Sequence, residues 1–423
     1  MRSENSINRL MISLRKSRSK PMNFNKSVIE KIRFTFNSQQ ENRIFGLDLL
    51  RAGAILLVLF SHGFDPFLSE YFPRLRSLIF MDGVDLFFII SGFLIGSILL
   101  RQFDFHDNYS LKIIFSFWKR RWLRTLPIYY FIFLIILFVP VILPSIRGYN
   151  MAISFSIWGE YLLFSQNFFK VKTEFFSEAW SLAIEEWFYL ITPIVLFSFH
   201  LLFKNILTKR LIFLIMMISI IVTCTICRYK IGVNLSGNIK DWDTNIRRVV
   251  ITRLDSIMFG VLGAYFKFYF PKHWKNKSLF PYLNSVCIFL LFTTHFLYIK
   301  AIDNNTHIFM NTFYFSFTGI AVIMILPQMD LLKSPPKFGI AGSMGKIITH
   351  ISLISYSLYL THGYLILGHI VRYRNEYFGK IIPNISVTGI LYFVLYFLVS
   401  VIASTCLYYF IEKPIMNMRS KEL

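Results

Sequence analysis

Eleven apolar blocks run along the chain, near 47–64, 84–100, 126–143, 151–169, 178–203, 211–227, 249–270, 280–300, 308–328, 351–371 and 386–410. Most match the roughly 17 to 25 residues that carry an α-helix across a bilayer. None shows the alternation over about 10 residues that marks a transmembrane β-strand. The pattern predicts an all-α polytopic membrane protein.

The polar positions between the blocks set the number of crossings, because basic residues collect on cytoplasmic loops. Residues 2–43 hold ten Lys or Arg against Glu4, Glu30 and Glu41, which places residue 43 in the cytoplasm. The first block exits and the second returns, so Lys112, Lys119, Arg120, Arg121 and Arg124 fall inside. Were 151–169 also a crossing, three basic clusters would face outward: Lys204, Lys209 and Arg210; Lys267, Lys272, Lys275 and Lys277; and Lys333, Lys337 and Lys346. That block also carries Glu160, Gln166 and Asn167. About ten transmembrane helices are therefore expected, with both termini cytoplasmic and 151–169 re-entrant or interfacial on the outer face. Arg228, Lys230, Lys240, Arg247 and Arg248 resist, since they remain outside with only Asp241 and Asp243 to offset them.

Composition agrees. The 423 residues are 55% hydrophobic and 16% charged, against about 25% charged in an ordinary globular domain. A soluble enzyme, a disordered chain and a disulfide-stapled secreted domain are excluded. The net charge of +22 reads as topogenic charge and attraction to anionic lipid, and no nucleic-acid partner is expected. Cys224, Cys227, Cys287 and Cys406 lie in or beside apolar blocks, and the Cys224-x-x-Cys227 pair has no second pair near it in sequence. They read as small buried apolar residues, and no metal site is expected. Residues 1–43 lack a signal-peptide core and cleavage site. They are rich in Arg and Ser like a transit peptide, but the first span follows at once, so a flexible cytoplasmic extension is preferred. The organisation expected is this extension, a membrane domain over 44–416, and a short cytoplasmic tail over 417–423.

Ionisable residues inside spans are costly and mark candidate sites. Arg51 and His62 are eleven positions apart, about three turns and 16 Å, on one helix face. Asp48 lies one turn before Arg51. These form a polar stripe, with Asp48 and Arg51 toward the cytoplasm and His62 toward the outside. Histidine is the side chain suited to moving a proton near neutral pH. Asp85 opens the second span at the level of His62, and the Ser91-Gly92 pair permits close helix packing. Arg121 and Arg124 share a face of the third span and suit phosphate oxygens. Glu178, Trp180, Ser181, Glu185 and Glu186 open the next crossing. Glu178 and Glu185 share a face, whereas Glu185 and Glu186 point about 100° apart, so only one of the adjacent pair can face a given site. Arg253 and Asp255 enter the seventh block, and Tyr356 and His362 lie in the tenth. Each has a bland alternative: a snorkelling pair, a helix-dipole carboxylate, topogenic charge, a satisfied core histidine.

In order, these motifs resemble the membrane-bound acyltransferase 3 family, integral-membrane O-acyltransferases of bacterial surface polysaccharides. The likeness rests on Arg51-x10-His62, Gly83-Val-Asp85-Leu-Phe-Phe-Ile-Ile-Ser91-Gly92-Phe, and Arg120-Arg121-Trp-Leu-Arg124 before Pro127. It continues with Ala179-Trp180-Ser181-Leu and Glu185-Glu186, Thr252-Arg253-Leu-Asp255 with Gly260, Ile354-Ser355-Tyr356-Ser-Leu-Tyr359-Leu-x-His362, and Tyr409-Phe-Ile-Glu412-Lys-Pro414. Leu49 and Thr361 depart from the residues common at those places, and neither removes a chemical group.

The resemblance implies an acetyl or other short acyl group moved from cytoplasmic acyl-CoA to a sugar hydroxyl of an O-antigen, capsule or exopolysaccharide across the plasma (inner) membrane. Acetyl-CoA is then a donor substrate and no cofactor is held permanently. Arg51, Arg121 and Arg124 are expected at the donor, with His62 as general base or transient acyl carrier. Asp85 or Glu186 would orient it, and Asp48, Trp180, Ser181, Glu185, Arg253, Asp255, Tyr356 and His362 would support. Relatives that carry a C-terminal hydrolase-like domain suggest that this chain acts alone or with a separate periplasmic or extracellular partner. A proton-coupled transporter and a lipid-linked glycan polymerase remain open on the same charges.

Overall fold

The computed structural model describes residues 43–72, 81–105, 109–142, 155–171, 175–303, 306–336, 338–373 and 385–419. The expected basic extension and most of the expected tail lie outside these. Among the described residues the chain is helical and holds no strand. The long helices are α1 (Phe45–Phe67), α2 (Gly83–Phe105), α3 (Leu111–Ile142), α5 (Ala179–Phe203), α6 (Lys209–Gly232), α8 (Leu254–Tyr269), α10 (Phe280–Asp303), α11 (Ile308–Leu331), α12 (Gly339–Thr361) and α14 (Ile385–Leu407). Shorter ones are α4 (Phe155–Leu162), α7 (Ile239–Trp242), α9 (Pro271–Trp274), α13 (Gly368–Tyr373) and α15 (Lys413–Arg419).

Eight helices among the described residues are long and apolar enough to cross a membrane, and the protein is an all-α polytopic membrane protein. Several are apolar all round. Ile218, Val222 and Ile226 of α6, Phe289, Phe292 and Phe296 of α10, and Leu395, Leu398 and Ile402 of α14 stand exposed, as a helix against lipid requires. The other two of the ten expected crossings, α8 and α12, miss that criterion for physical reasons. With 16 residues, α8 is about 24 Å long, because the start of its apolar block is a 3₁₀ turn at Val250–Thr252, preceded by a π-turn at Asp243–Arg247. Helix α12 is long enough but carries Thr349, Ser352, Ser355, Ser357 and Thr361 in its buried face.

The described part of the block 151–169 holds no helix long enough to cross. It forms only the eight-residue α4, about 12 Å long, and then turns back at Phe164 with φ 56°. The polar residues that spoil it as a span tie it down: Asn167 Nδ2 donates to Trp180 O at 2.9 Å and to Arg248 O at 2.6 Å, and Gln166 Nε2 donates to Ala179 O at 3.3 Å.

The bundle centre is a close crossing of α2 and α8. A Cβ on Gly92 would overlap Ile257 O, and one on Gly260 would overlap Ile89 O. Two glycines facing each other bring the backbones together, as expected for Ser91-Gly92. Helix α1 packs against α2, α11 and α12, and α12 packs against α14. Of the cysteines, Cys224 and Cys287 are buried as expected, whereas Cys227 is half-buried and Cys406 exposed, because they fall on the outer faces of α6 and α14.

The awkward outer basic residues also find an account. Arg228 is fully buried and pairs with Asp255 at 2.7 Å. Its guanidinium also donates to Thr312 O at 2.8 Å, Thr252 O at 2.7 Å and Ser316 Oγ at 3.0 Å. Arg247 is paired with Asp82 and Asp243, and Arg248 with Asp243 at 2.5 Å. Three of the five exceptions to the charge rule are thus matched by carboxylates in the folded protein.

Candidate functional site

Five helices line an open-mouthed cavity of about 100 Å³. Each contributes one face: Arg51 from α1; Val84, Phe87, Phe88, Ser91 and Leu94 from α2; Arg121, Arg124 and Thr125 from α3; Ser181, Leu182, Glu185 and Tyr189 from α5; Ser355, Tyr356 and Tyr359 from α12. The spacings of three and four residues are those of one helical stripe turned inward. The three arginines expected at the donor therefore meet in one place, although 70 and more residues separate Arg51 from the other two.

The surroundings of Arg121 fix it. Tyr189 OH donates to Glu185 Oε2 at 2.7 Å and accepts from Arg121 Nη2 at 3.0 Å. Ser91 Oγ lies 2.6 Å from the same hydroxyl and is left to donate to it. The Arg121 guanidinium also sits 4.6 Å from the Tyr189 ring centre. Tyr356 OH donates to Thr125 O at 2.8 Å, tying α12 to α3. Asp48 is buried and accepts from Ser352 Oγ at 2.8 Å.

Beyond Tyr359 the helix changes pitch. Helix α12 ends at Thr361, and residues His362–Leu367 form a π-turn, a widening that often re-aims a side chain at a functional site. It carries His362, fully buried, against His62, which is exposed. His362 Nε2 and His62 Nδ1 are 3.3 Å apart. Their protons follow from the other partners. Val58 O, 3.0 Å from His62 Nδ1, can only accept, and so can Tyr359 O, 2.7 Å from His362 Nδ1. Both imidazoles then carry their proton on Nδ1. His62 Nδ1–H is shared between Val58 O and His362 Nε2, and His62 Nε2 keeps a free lone pair on the exposed side.

Two expectations need correction. Asp85 does not orient His62. It is buried and ion-paired with Arg253, whose guanidinium also donates to Ser256 Oγ at 3.0 Å and lies 3.5 Å over the Phe315 ring. A carboxylate beside a buried arginine is drawn to that charge and not to a neutral imidazole. Glu186 does not reach His62 either. It points toward α3 and accepts from Thr125 Oγ1 at 2.6 Å, and the carboxylate that lines the cavity is its neighbour Glu185. Arg253 and Asp255, expected together, serve different partners, Asp85 and Arg228. Trp180 covers this end of the bundle, edge-on to Phe88 at 6.1 Å and beneath the Arg247 guanidinium at 4.9 Å. Ser181 Oγ lies 2.7 Å from Tyr359 OH.

The geometry also supplies residues the sequence did not single out as the site. Ser91, Tyr189 and Tyr359 lie within quoted motifs, and their hydroxyls only gain meaning once the helices meet. No spacing rule could link His62 to His362, which are 300 positions apart.

The arrangement defines a class: a multi-pass helical membrane protein with an arginine-lined internal cavity leading toward a histidine pair. The family model described as acyltransferase domain (acyltransferase 3) matches residues 44–409, and the chain belongs to that family. Among curated relatives, O-acetyltransferase OatA of Staphylococcus aureus (strain NCTC 8325) is 28% identical over 384 residues, covering 88% of this chain and 57% of the relative. Peptidoglycan O-acetyltransferase OatA of Listeria monocytogenes serovar 1/2a is 36% identical over 132 residues, 29% of this chain and 21% of the relative. The chain thus spans little more than half of the first and less of the second. No solved structure matches.

Proposed function

We propose that the protein moves an acyl group, acetyl in the first instance, from acyl-CoA to a hydroxyl of a cell-surface polysaccharide. The observation that carries this reading is the single cavity holding Arg51, Arg121 and Arg124, beside which His62 presents an unprotonated Nε2. Coenzyme A brings a pyrophosphate and a further phosphate, which guanidinium groups bind by paired charge-assisted hydrogen bonds. The donor enters at the arginine end, on the cytoplasmic side under the charge rule, in the plasma (inner) membrane. Its acyl thioester extends toward Tyr359 and the histidine pair.

A sugar hydroxyl is a poor nucleophile, so a base must take its proton as it attacks. His62 Nε2 takes that proton while the sugar oxygen bonds to the thioester carbonyl carbon. The carbon–sulfur bond then breaks, and the thiolate leaves and is protonated. His362 positions the base. Its Nε2 accepts the His62 Nδ1–H, holds the ring and stabilises the imidazolium, the part a carboxylate plays in a serine-protease triad. The S. aureus and L. monocytogenes relatives are named for O-acetyl transfer, and the latter for peptidoglycan, which supports acetyl as the group and makes peptidoglycan the first acceptor to test.

The test is transfer of radiolabelled acetyl from acetyl-CoA to glycan in membranes that contain the protein. Label in the glycan is expected. A carrier or a glycan polymerase would leave the glycan unlabelled, and that outcome would overturn the reading. Mass spectrometry of the polysaccharide with and without the protein then names the hydroxyl.

A further inference from the structure

The histidine pair depends on a turn that no histidine contact explains. Residues His362–Leu367 form a π-turn that follows directly on α12 and breaks its α-helical pitch. The carboxyl of Glu178 lies against this turn. Glu178 is buried at 5% exposure, and its Oε1 accepts the Tyr364 N–H at 2.7 Å. The residue between His362 and Tyr364 is Gly363, and a Cβ there would overlap that same Oε1. Glu178 is also the N-cap residue of α5, with no side-chain capping bond to its own helix. A carboxylate at that position would ordinarily serve its own first turn, and here it serves another helix. The backbone adds a second tie. Tyr359 OH donates to Glu178 O at 3.2 Å, and Tyr359 O is the acceptor of His362 Nδ1 at 2.7 Å.

We propose that Glu178 is a positioning residue: its carboxyl pins the His362–Leu367 turn to the start of α5, so that His362 Nε2 meets His62 Nδ1, and Gly363 is glycine in order to admit it. This rests on the reading of His62 as the base. The same tie joins the base to the cavity wall, because Ser181, Glu185 and Tyr189 follow Glu178 on α5. Removing the carboxyl frees the turn and lets His362 swing away, which leaves His62 held by Val58 O alone. A misplacement of about 1 Å in such a site costs on the order of 10²-fold in rate.

Two features separate positioning from general structure. The defect must fall on kcat with the acyl-CoA KM unchanged, because the arginines are untouched. It must also be shared with Gly363, because both residues act through one contact.

The experiment is acetyl transfer by the full-length protein in proteoliposomes, with acetyl-CoA as donor, for Glu178→Ala, Glu178→Gln, Gly363→Ala and the double variant Glu178→Ala with Gly363→Ala. Glu178→Ala should lose on the order of 10²-fold in kcat with KM for acetyl-CoA unchanged. Glu178→Gln retains an oxygen acceptor and should recover most of the loss. Gly363→Ala should be as defective as Glu178→Ala, and the double variant no worse than either. Losses that multiply in the double variant, or a Glu178→Ala enzyme with normal kcat, would overturn the proposal. His62→Ala run in parallel separates the two readings. If His62→Ala is inactive while Glu178→Ala is normal, the positioning role fails and the base stands. If His62→Ala is also normal, the base itself is misassigned.

Discussion

His62 and His362 pair an exposed ring with a buried one, and the proposed mechanism divides the proton transfer between them. Each fixes its proton on a backbone carbonyl, so the tautomers are set by main-chain atoms that mutation cannot easily remove. Truncating His362 should therefore lower turnover and leave acyl-CoA binding intact. Under the same proposal the arginines that line the cavity hold the acyl donor. Replacing Arg121 and Arg124 with Ala together should raise the acyl-CoA KM on the order of tenfold or more, since each charge-assisted hydrogen bond is worth about 1.5–3 kcal/mol. Steady-state kinetics across acyl-CoA concentrations decides this, and an unchanged KM would leave both residues as topogenic charge. Much of this scale was legible in the sequence. Arg51, Arg121, Arg124 and His62 were singled out because ionised or proton-moving groups do not sit in a span without cause. The choice between Glu185 and Glu186 was not legible. Adjacent helix positions differ by about 100°, and only the packing of α3 against α5 says which faces the cavity.

Between elements, buried ion pairs hold the central helices in register. Asp85 of α2 pairs with Arg253 at the start of α8, and Arg228 of α6 pairs with Asp255 of α8. Breaking such a pair strands a charge in the interior. Asp85→Ala should cost about 3–5 kcal/mol, read as a lower unfolding midpoint of the purified protein in detergent. An unchanged midpoint would show that the pair does not hold α2 to α8. The outer pair Asp82–Arg247 behaves differently with pH. Burial opposes the charge of Asp82, but Arg247 and the Val84 N–H outweigh it and hold the carboxyl below its ordinary 3.8. A depressed carboxyl stabilises the fold while ionised. Its contribution is complete above that ordinary value and disappears as pH falls through the lower folded one. Thermal midpoints of wild type and Asp82→Asn should therefore differ at neutral pH and converge in strong acid; a constant gap would contradict this. Sequence alone showed these charges but not their partners, because Asp85 and Arg253 are 168 positions apart.

At the scale of the whole molecule, apolar block lengths gave the class, and the basic loops led to an expectation of ten crossings, of which eight are long and apolar enough among the described residues. What they missed were the interruptions: the π-turn at His362, the shortened α8 and the polar α12. The polar face of α12 lines the cavity and the π-turn holds His362, whereas α8 is short because turns replace the start of its block. The charge rule makes a further claim about sides. Single cysteines at positions 207 and 275, in a background lacking the natural four, should resist a membrane-impermeant thiol reagent applied to intact cells and react once the membrane is opened. Labelling of both from outside would contradict the topology and put the arginine end of the cavity on the wrong face for cytoplasmic acyl-CoA. The measurement that tests the central claim most directly is single-variant turnover: acetyl transfer from acetyl-CoA by purified His62→Ala in proteoliposomes, with acyl-CoA binding measured on the same preparation. General-base catalysis contributes about 10² to 10⁴-fold, so binding should persist and transfer should fall by at least that lower bound. Turnover close to wild type with binding intact would contradict the account and move the base away from His62.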